Sequence, residues 1–193
     1  VMRDAIVAVE DYRFFDHGAI DLKGTLRALV INQASGGKVV QGGSSITQQM
    51  AKMTLLAQAN TKAERAAATA DTYARKITEL RHALAFEQNH SKKWILTRYL
   101  NIAFFGDQSY GIQAAAQHYF SRDAKDLNVR QAAMLAGLVK NPNQYNPVAN
   151  KKAALSRRNV VLDQMAKYGY LSGAEANRIK ALPLGLKIKP NQN

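Results

Sequence analysis

Helical patterning runs through almost the whole chain, and proline barely interrupts it: only four occur, three of them at or after residue 147. Proline breaks a helix interior, so most of this sequence is open to helix. Apolar and alanine-rich spacing predicts helices over 1–13, 22–34, 45–56, 61–89, 92–102, 110–119, 128–139, 151–168 and 172–181. Asn128 with Gln131, and Ser172 with Glu175, have the spacing of a capping box and fix two of those starts. "FFDHGAID", "SGGKVVQGGS" and "KNPNQYNP" read as loops, with a short extended piece at Val39 and Val40. No internal repeat or heptad pattern is present. The expected fold class is mainly α.

The length of 193 residues suits one domain, or one domain with a small subdomain. A formal charge of +13 favours an anionic partner, whether nucleic acid, an acidic membrane surface or a phosphorylated substrate. The absence of cysteine excludes disulfides and thiolate metal sites. No apolar run is long enough to span a bilayer. The amphipathic start "VMRDAIVAVED" and the tail "KIKPNQN" read as a domain cut from a longer chain.

In so basic a chain the carboxylates carry information. Glu10, Asp11, Asp16 and Asp21 are interleaved with Phe14, Phe15 and His17. Beside aromatic rings they suit acid–base work; equally, they can cap and solvate a loop. His17 reads as a structural hydrogen-bonding residue. In "RKITELRHALAFE", helical spacing puts Arg75, Glu79 and His82 on one face and Ile77, Leu80 and Leu84 on an opposite, core-facing stripe. That face is either a plain i,i+4 ion pair or a site where Arg75, Lys76 and Arg81 neutralise an anion while Glu79 handles a proton or a metal. "QGGSSITQQMAK" opens like a phosphate loop but lacks the Lys-Ser/Thr that closes one. Ser35-Gly-Gly-Lys38 matches Ser-x-x-Lys without the partner motifs of a transpeptidase, and reads as chance.

In order along the chain, "EDYRFFDH", "GGSSITQQMAK", "RKITE", "SKKWILTRYLN" and "RRNVVLDQM" resemble the five sequence blocks of the peptidoglycan glycosyltransferase domain, glycosyltransferase family 51. That family occurs in class A penicillin-binding proteins and monofunctional transglycosylases, and the resemblance covers nearly the whole chain, 1–193. It implies a lysozyme-like α fold with a larger head and a small flexible jaw, here residues 53–74. It also implies polymerisation of lipid II into β-1,4-linked glycan with inversion and release of undecaprenyl pyrophosphate. By the same resemblance Glu10 is the general base and Glu79 the second catalytic carboxylate, acting directly or as ligand of a divalent ion (Mg2+ or Mn2+). Lys52, Arg75 and Lys76 match the cations that grip the pyrophosphate, while Asp11, Phe14, Ser45 and Gln49 match substrate-site positions. The implied partners are lipid II, the growing glycan chain, a membrane surface met by the jaw, and a transpeptidase domain in the full-length chain, with no nucleic acid. The implied location is the outer face of the bacterial cytoplasmic membrane, and the implied inhibitor is the phosphoglycolipid moenomycin.

Four positions depart from the family pattern: Ala19 for a glycine, Ser45 for threonine, Met53 for asparagine and Thr97 for glutamate. The last removes an ion pair that the glutamate would make. The competing reading is a lysozyme-like peptidoglycan hydrolase or lytic transglycosylase, which has no use for cations around a pyrophosphate. A non-catalytic basic binding module is allowed by composition but leaves the ordered blocks unexplained.

Overall fold

A computed structural model describes residues 1–23, 34, 43–70 and 72–190. Among these the chain is helical, with one isolated antiparallel bridge between Phe104 and Tyr110. The helices are α1 (Met2–Glu10), α2 (Ile46–Gln58), α3 (Lys62–Thr69), α4 (Tyr73–Asn89), α5 (Lys92–Ile102), α6 (Ile112–Phe120), α7 (Val129–Leu138), α8 (Lys151–Lys167) and α9 (Gly173–Lys180). A single 3-10 turn, Ala124–Asp126, precedes α7. The mainly α class expected from the sequence is what forms. Most of the helix expected over 22–34, the extended piece at Val39 and Val40, and Ser35 to Lys38 lie outside the described residues.

Two boundaries differ from the sequence expectation. The first helix stops at Glu10 rather than 13, because Asp11 takes an extended φ of −159°. The single helix expected over 61–89 is two. Ala70 ends α3 in a non-helical conformation, and the Thr72 side chain caps α4 by accepting the Arg75 N–H at 3.2 Å. A threonine that can bond the backbone favours a helix start over a helix interior, which is why the pattern broke there. At the start of α3, Thr61 and Glu64 form a reciprocal capping box. The backbone N–H groups of Thr61, then Asn60, hold the Glu64 carboxyl below its usual range.

The chain forms two compact units, Val1–Tyr12 with Leu100–Asn193, and Arg13–Tyr99. In the first unit α7 is the centre: every residue from Gln131 to Leu138 is buried, as expected of a helix that is apolar all round. Its start is the capping box expected at Asn128 and Gln131, and Ser172 caps α9 by accepting from Glu175 at 3.1 Å. The buried face of α1 (Met2, Ala5, Ile6) packs on α7 and α8, and α9 packs on α8.

Arg158 on α8 is fully buried, with no carboxylate partner among the described residues. Its guanidinium donates to the Lys180, Leu182 and Pro183 carbonyls at 3.0, 2.7 and 3.2 Å, and to Asn159 Oδ1. It thereby covers the negative end of α9 and ties down the chain that leaves it. Burial, with Arg130 adding to it, lowers the Arg158 pKa from its ordinary value.

Gly111 opens α6 with φ +82°, and a Cβ there would lie 2.6 Å from the Asn101 carbonyl oxygen. The opposing atoms are all Asn101 backbone, so no side chain can swing aside. Gly111→Ala is expected to destabilise the fold by about 2–3 kcal/mol or more, read as a lower midpoint in urea with unchanged slope.

In the second unit α2 packs on α4 through small residues: Ala19, Ala51 and Ala83 form one buried cluster with Phe86 against it. This reverses the face expected for α4. Ile77 and Leu84 are 53% and 44% exposed, whereas Glu79 and Ala83 are 2% and 0%. Ala83 permits the close approach to α2, and ion pairs allow Glu79 to be buried; apolar periodicity registers neither effect.

Candidate active site

In the second unit, cations gather around Glu79. Helical spacing places Arg75 and Lys76 one turn before Glu79, so all three side chains meet. Arg75 Nη1 pairs with Glu79 Oε1, and Arg75 Nε donates to the Ala70 carbonyl. Lys76 Nζ lies 3.2 Å from Glu79 Oε2 and 3.0 Å from Ser44 Oγ. A buried carboxylate costs several kcal/mol unless it is paired; here each oxygen faces a cation. The cluster as a whole keeps one positive charge. Lys76 is half-exposed, so that positive edge reaches solvent.

Glu79 so arranged does not fit a metal ligand, because a divalent ion would have to displace one of the two cations already on its oxygens.

The start of α2 is built by Ser45. Its hydroxyl accepts the Gln48 N–H at 3.2 Å, its own N–H donates to Gln48 Oε1 at 3.3 Å, and its O–H donates to the Ala19 carbonyl at 2.7 Å. Ser45 is 3% exposed. Its hydroxyl is thus spent on the capping box and on the loop before it. Gln49, one residue into the next turn, is held by the Tyr99 hydroxyl at 3.0 Å. Lys52 follows three positions later on the same face and is exposed, with no ion pair among the described residues.

Phe14 is fully buried, edge-on to Phe15, with Lys92 Nζ 4.4 Å from its ring centroid. Lys92 pairs with Glu87 at 2.7 Å, and Glu87 accepts the Thr47 hydroxyl at 2.5 Å. This chain from Thr47 through Glu87 and Lys92 to Phe14 escaped the sequence reading, because its members are separated by helices. Their shared block pattern placed Thr47 and Lys92 in motifs but gave neither a role. Ala19 fills the small-residue cluster in place of the family's glycine, and Thr97 bonds the Lys93 carbonyl at 2.8 Å in place of the glutamate.

The first unit holds Glu10 and Asp11 at the end of α1. Asp11 is buried, and its backbone N–H closes the helix on the Val7 carbonyl at 3.0 Å. Glu10 Oε1 lies 3.8 Å from Arg157 Nη2. Arg157 thus presents a positive charge to the Glu10 carboxylate. The sequence reading placed Arg157 only in the closing block.

The family model described as Transglycosylase matches residues 1–166. Penicillin-binding protein 1F of Bacillus subtilis (strain 168) is 39% identical over 97% of this chain and 25% of its own length. Penicillin-binding protein 1A of Streptococcus pneumoniae (strain ATCC BAA-255 / R6) is 39% identical over 93% and 24%, and that of Aquifex aeolicus (strain VF5) 40% over 95% and 24%. The chain belongs to the transglycosylase family. It spans about a quarter of the length of these curated relatives.

Proposed function

We propose that this domain is a peptidoglycan glycosyltransferase that polymerises lipid II. The observation that carries the reading is the family match over residues 1–166, which includes the cation cluster around Glu79. In the proposed step a sugar hydroxyl of incoming lipid II attacks the anomeric carbon of the growing chain. Glu10 takes the hydroxyl proton, the new C–O bond forms with inversion, and the bond to undecaprenyl pyrophosphate breaks. Inverting transfer suits two carboxylates with separate tasks, by analogy with inverting glycosidases.

Lys52, Arg75 and Lys76 stabilise the charge that develops on the departing pyrophosphate. Glu79 holds Arg75 and Lys76 in place and assists departure through them, so no metal step is assigned to it. A requirement for Mg2+ or Mn2+ is testable by adding chelator to the assay. Phe14, Asp11 and Gln49 are assigned to the substrate site. Ser45 acts there by shaping the start of α2, since its hydroxyl is already engaged.

Residues 53–74 are assigned to the membrane-facing lobe of a single domain. In support, α3 buries no residue, and Leu56 is 40% exposed. No helix among the described residues is long and apolar enough to cross a membrane. The reaction is assigned to the outer face of the cytoplasmic membrane, and the relatives' greater length leaves room for a transpeptidase domain in the parent chain. The hydrolase alternative gains nothing from a cation cluster.

Lys52→Ala tests the pyrophosphate assignment. Losing one charge-assisted contact of about 1.5–3 kcal/mol is expected to lower kcat/KM for lipid II by roughly 10–100-fold. Moenomycin affinity should fall in parallel, through its phosphate. Unchanged kinetics and unchanged moenomycin binding would remove Lys52 from the site.

A further inference from the structure

Arg157 is gripped from several directions in the first unit. Nε donates to the Gly137 carbonyl at 3.3 Å, and the guanidinium carbon lies 5.7 Å from the Tyr145 ring centroid. Its Cγ occupies space that a side chain at 137 would need, since a Cβ there would come within 2.9 Å. Its third neighbour is Glu10, at 3.8 Å. The side chain is only 11% exposed. A cation held by α7 and by the following loop offers a fixed point to which a carboxylate is drawn.

We propose that Arg157 is a positioning residue for Glu10, setting where the carboxylate sits at the end of α1 and favouring its charged form. The inference rests on the reading of Glu10 as the base. The 3.8 Å separation is too long for a hydrogen bond, so the contact is Coulombic. A nearby cation stabilises a carboxylate over its acid, which is the state that accepts a proton.

The other charges on the surrounding elements have different positions. On α7 the single charged residue is Arg130, whose guanidinium lies against Gly185. On α8, Arg158 serves the end of α9, Asp163 pairs with Lys180, and Lys167 lies over Tyr168. Lys140, Lys151 and Lys152 are exposed. On α1 itself Asp4 lies beside the Val1 backbone nitrogen and Arg3 is exposed, leaving Asp11 as the adjacent carboxylate.

The test compares lipid II polymerisation by the unsubstituted chain, Arg157→Ala, Arg157→Lys and Glu10→Gln. Arg157→Ala should lower kcat about tenfold or more with little change in KM, and shift the acidic limb of the kcat profile to higher pH. Arg157→Lys should bring the limb back toward its original position. A carboxyl-NMR titration of Glu10 should move the same way, without reference to activity. A KM rise with an unmoved limb and titration would overturn the proposal and make Arg157 a substrate or packing residue. If Arg157→Ala fails to fold, the lysine variant and the titration decide alone. Near-normal turnover in Glu10→Gln would instead sink the reading of Glu10 as base.

Discussion

Glu10→Gln is expected to lower polymerisation from lipid II by about 10²–10⁴-fold, the range for removal of a positioned general base. The amide is nearly isosteric, so the loss is chemical. Glu10 is the last residue of α1, and the apolar anchoring of that helix lies earlier, at Met2, Ala5 and Ile6. Thermal unfolding of the variant should therefore stay close to that of the unsubstituted chain, and moenomycin should still bind. A variant that folds, binds and turns over at a normal rate would leave the proposed proton transfer without an acceptor.

Arg158→Ala carries the largest expected cost to stability. Truncation removes every donor that now serves three backbone carbonyls and the Asn159 side chain, and it opens a void in a fully buried position. The partly buried acceptors left unpaired and the void together are expected to cost about 3–5 kcal/mol. For a chain of this size the melting temperature should drop by roughly 10 °C. Hydrogen exchange should quicken first at α9 and at the segment after it, because those carbonyls lose their anchor. A melting temperature within a degree or two of the original would show that the carbonyls find other partners.

Local signals in the sequence were sufficient for most helix starts. Asn128 with Gln131 cap α7 as their spacing requires, and a serine, Ser45, opens α2. These motifs act over three residues, so a single sequence displays them whole. The break at Thr72 was also local, but a continuous run of helix formers on either side masked it. What the sequence could not display was contact across the fold. The buried face of α4 follows from Ala19 and Ala51, distant in sequence, meeting Ala83. Apolar periodicity therefore put Ile77 and Leu84 inside and Glu79 outside, the reverse of the structure.

The site shows the same division. Arg75, Lys76 and Glu79 lie within five residues, and their meeting was readable from helical geometry. A helix start at 45 was readable, but the bond from Ser45 to the Ala19 carbonyl spans 26 residues. The pairing of Glu10 with Arg157 joins opposite ends of the sequence and left no periodic trace.

The central claim is that this domain joins sugars from a lipid pyrophosphate rather than cutting preformed glycan. The direct measurement gives the purified chain labelled lipid II in detergent with Mg2+, and separately gives it preformed glycan strands. The account predicts glycan polymer and released undecaprenyl pyrophosphate from the first, and intact strands in the second. Degraded strands with untouched lipid II would contradict it and make the protein a hydrolase built on the same helices.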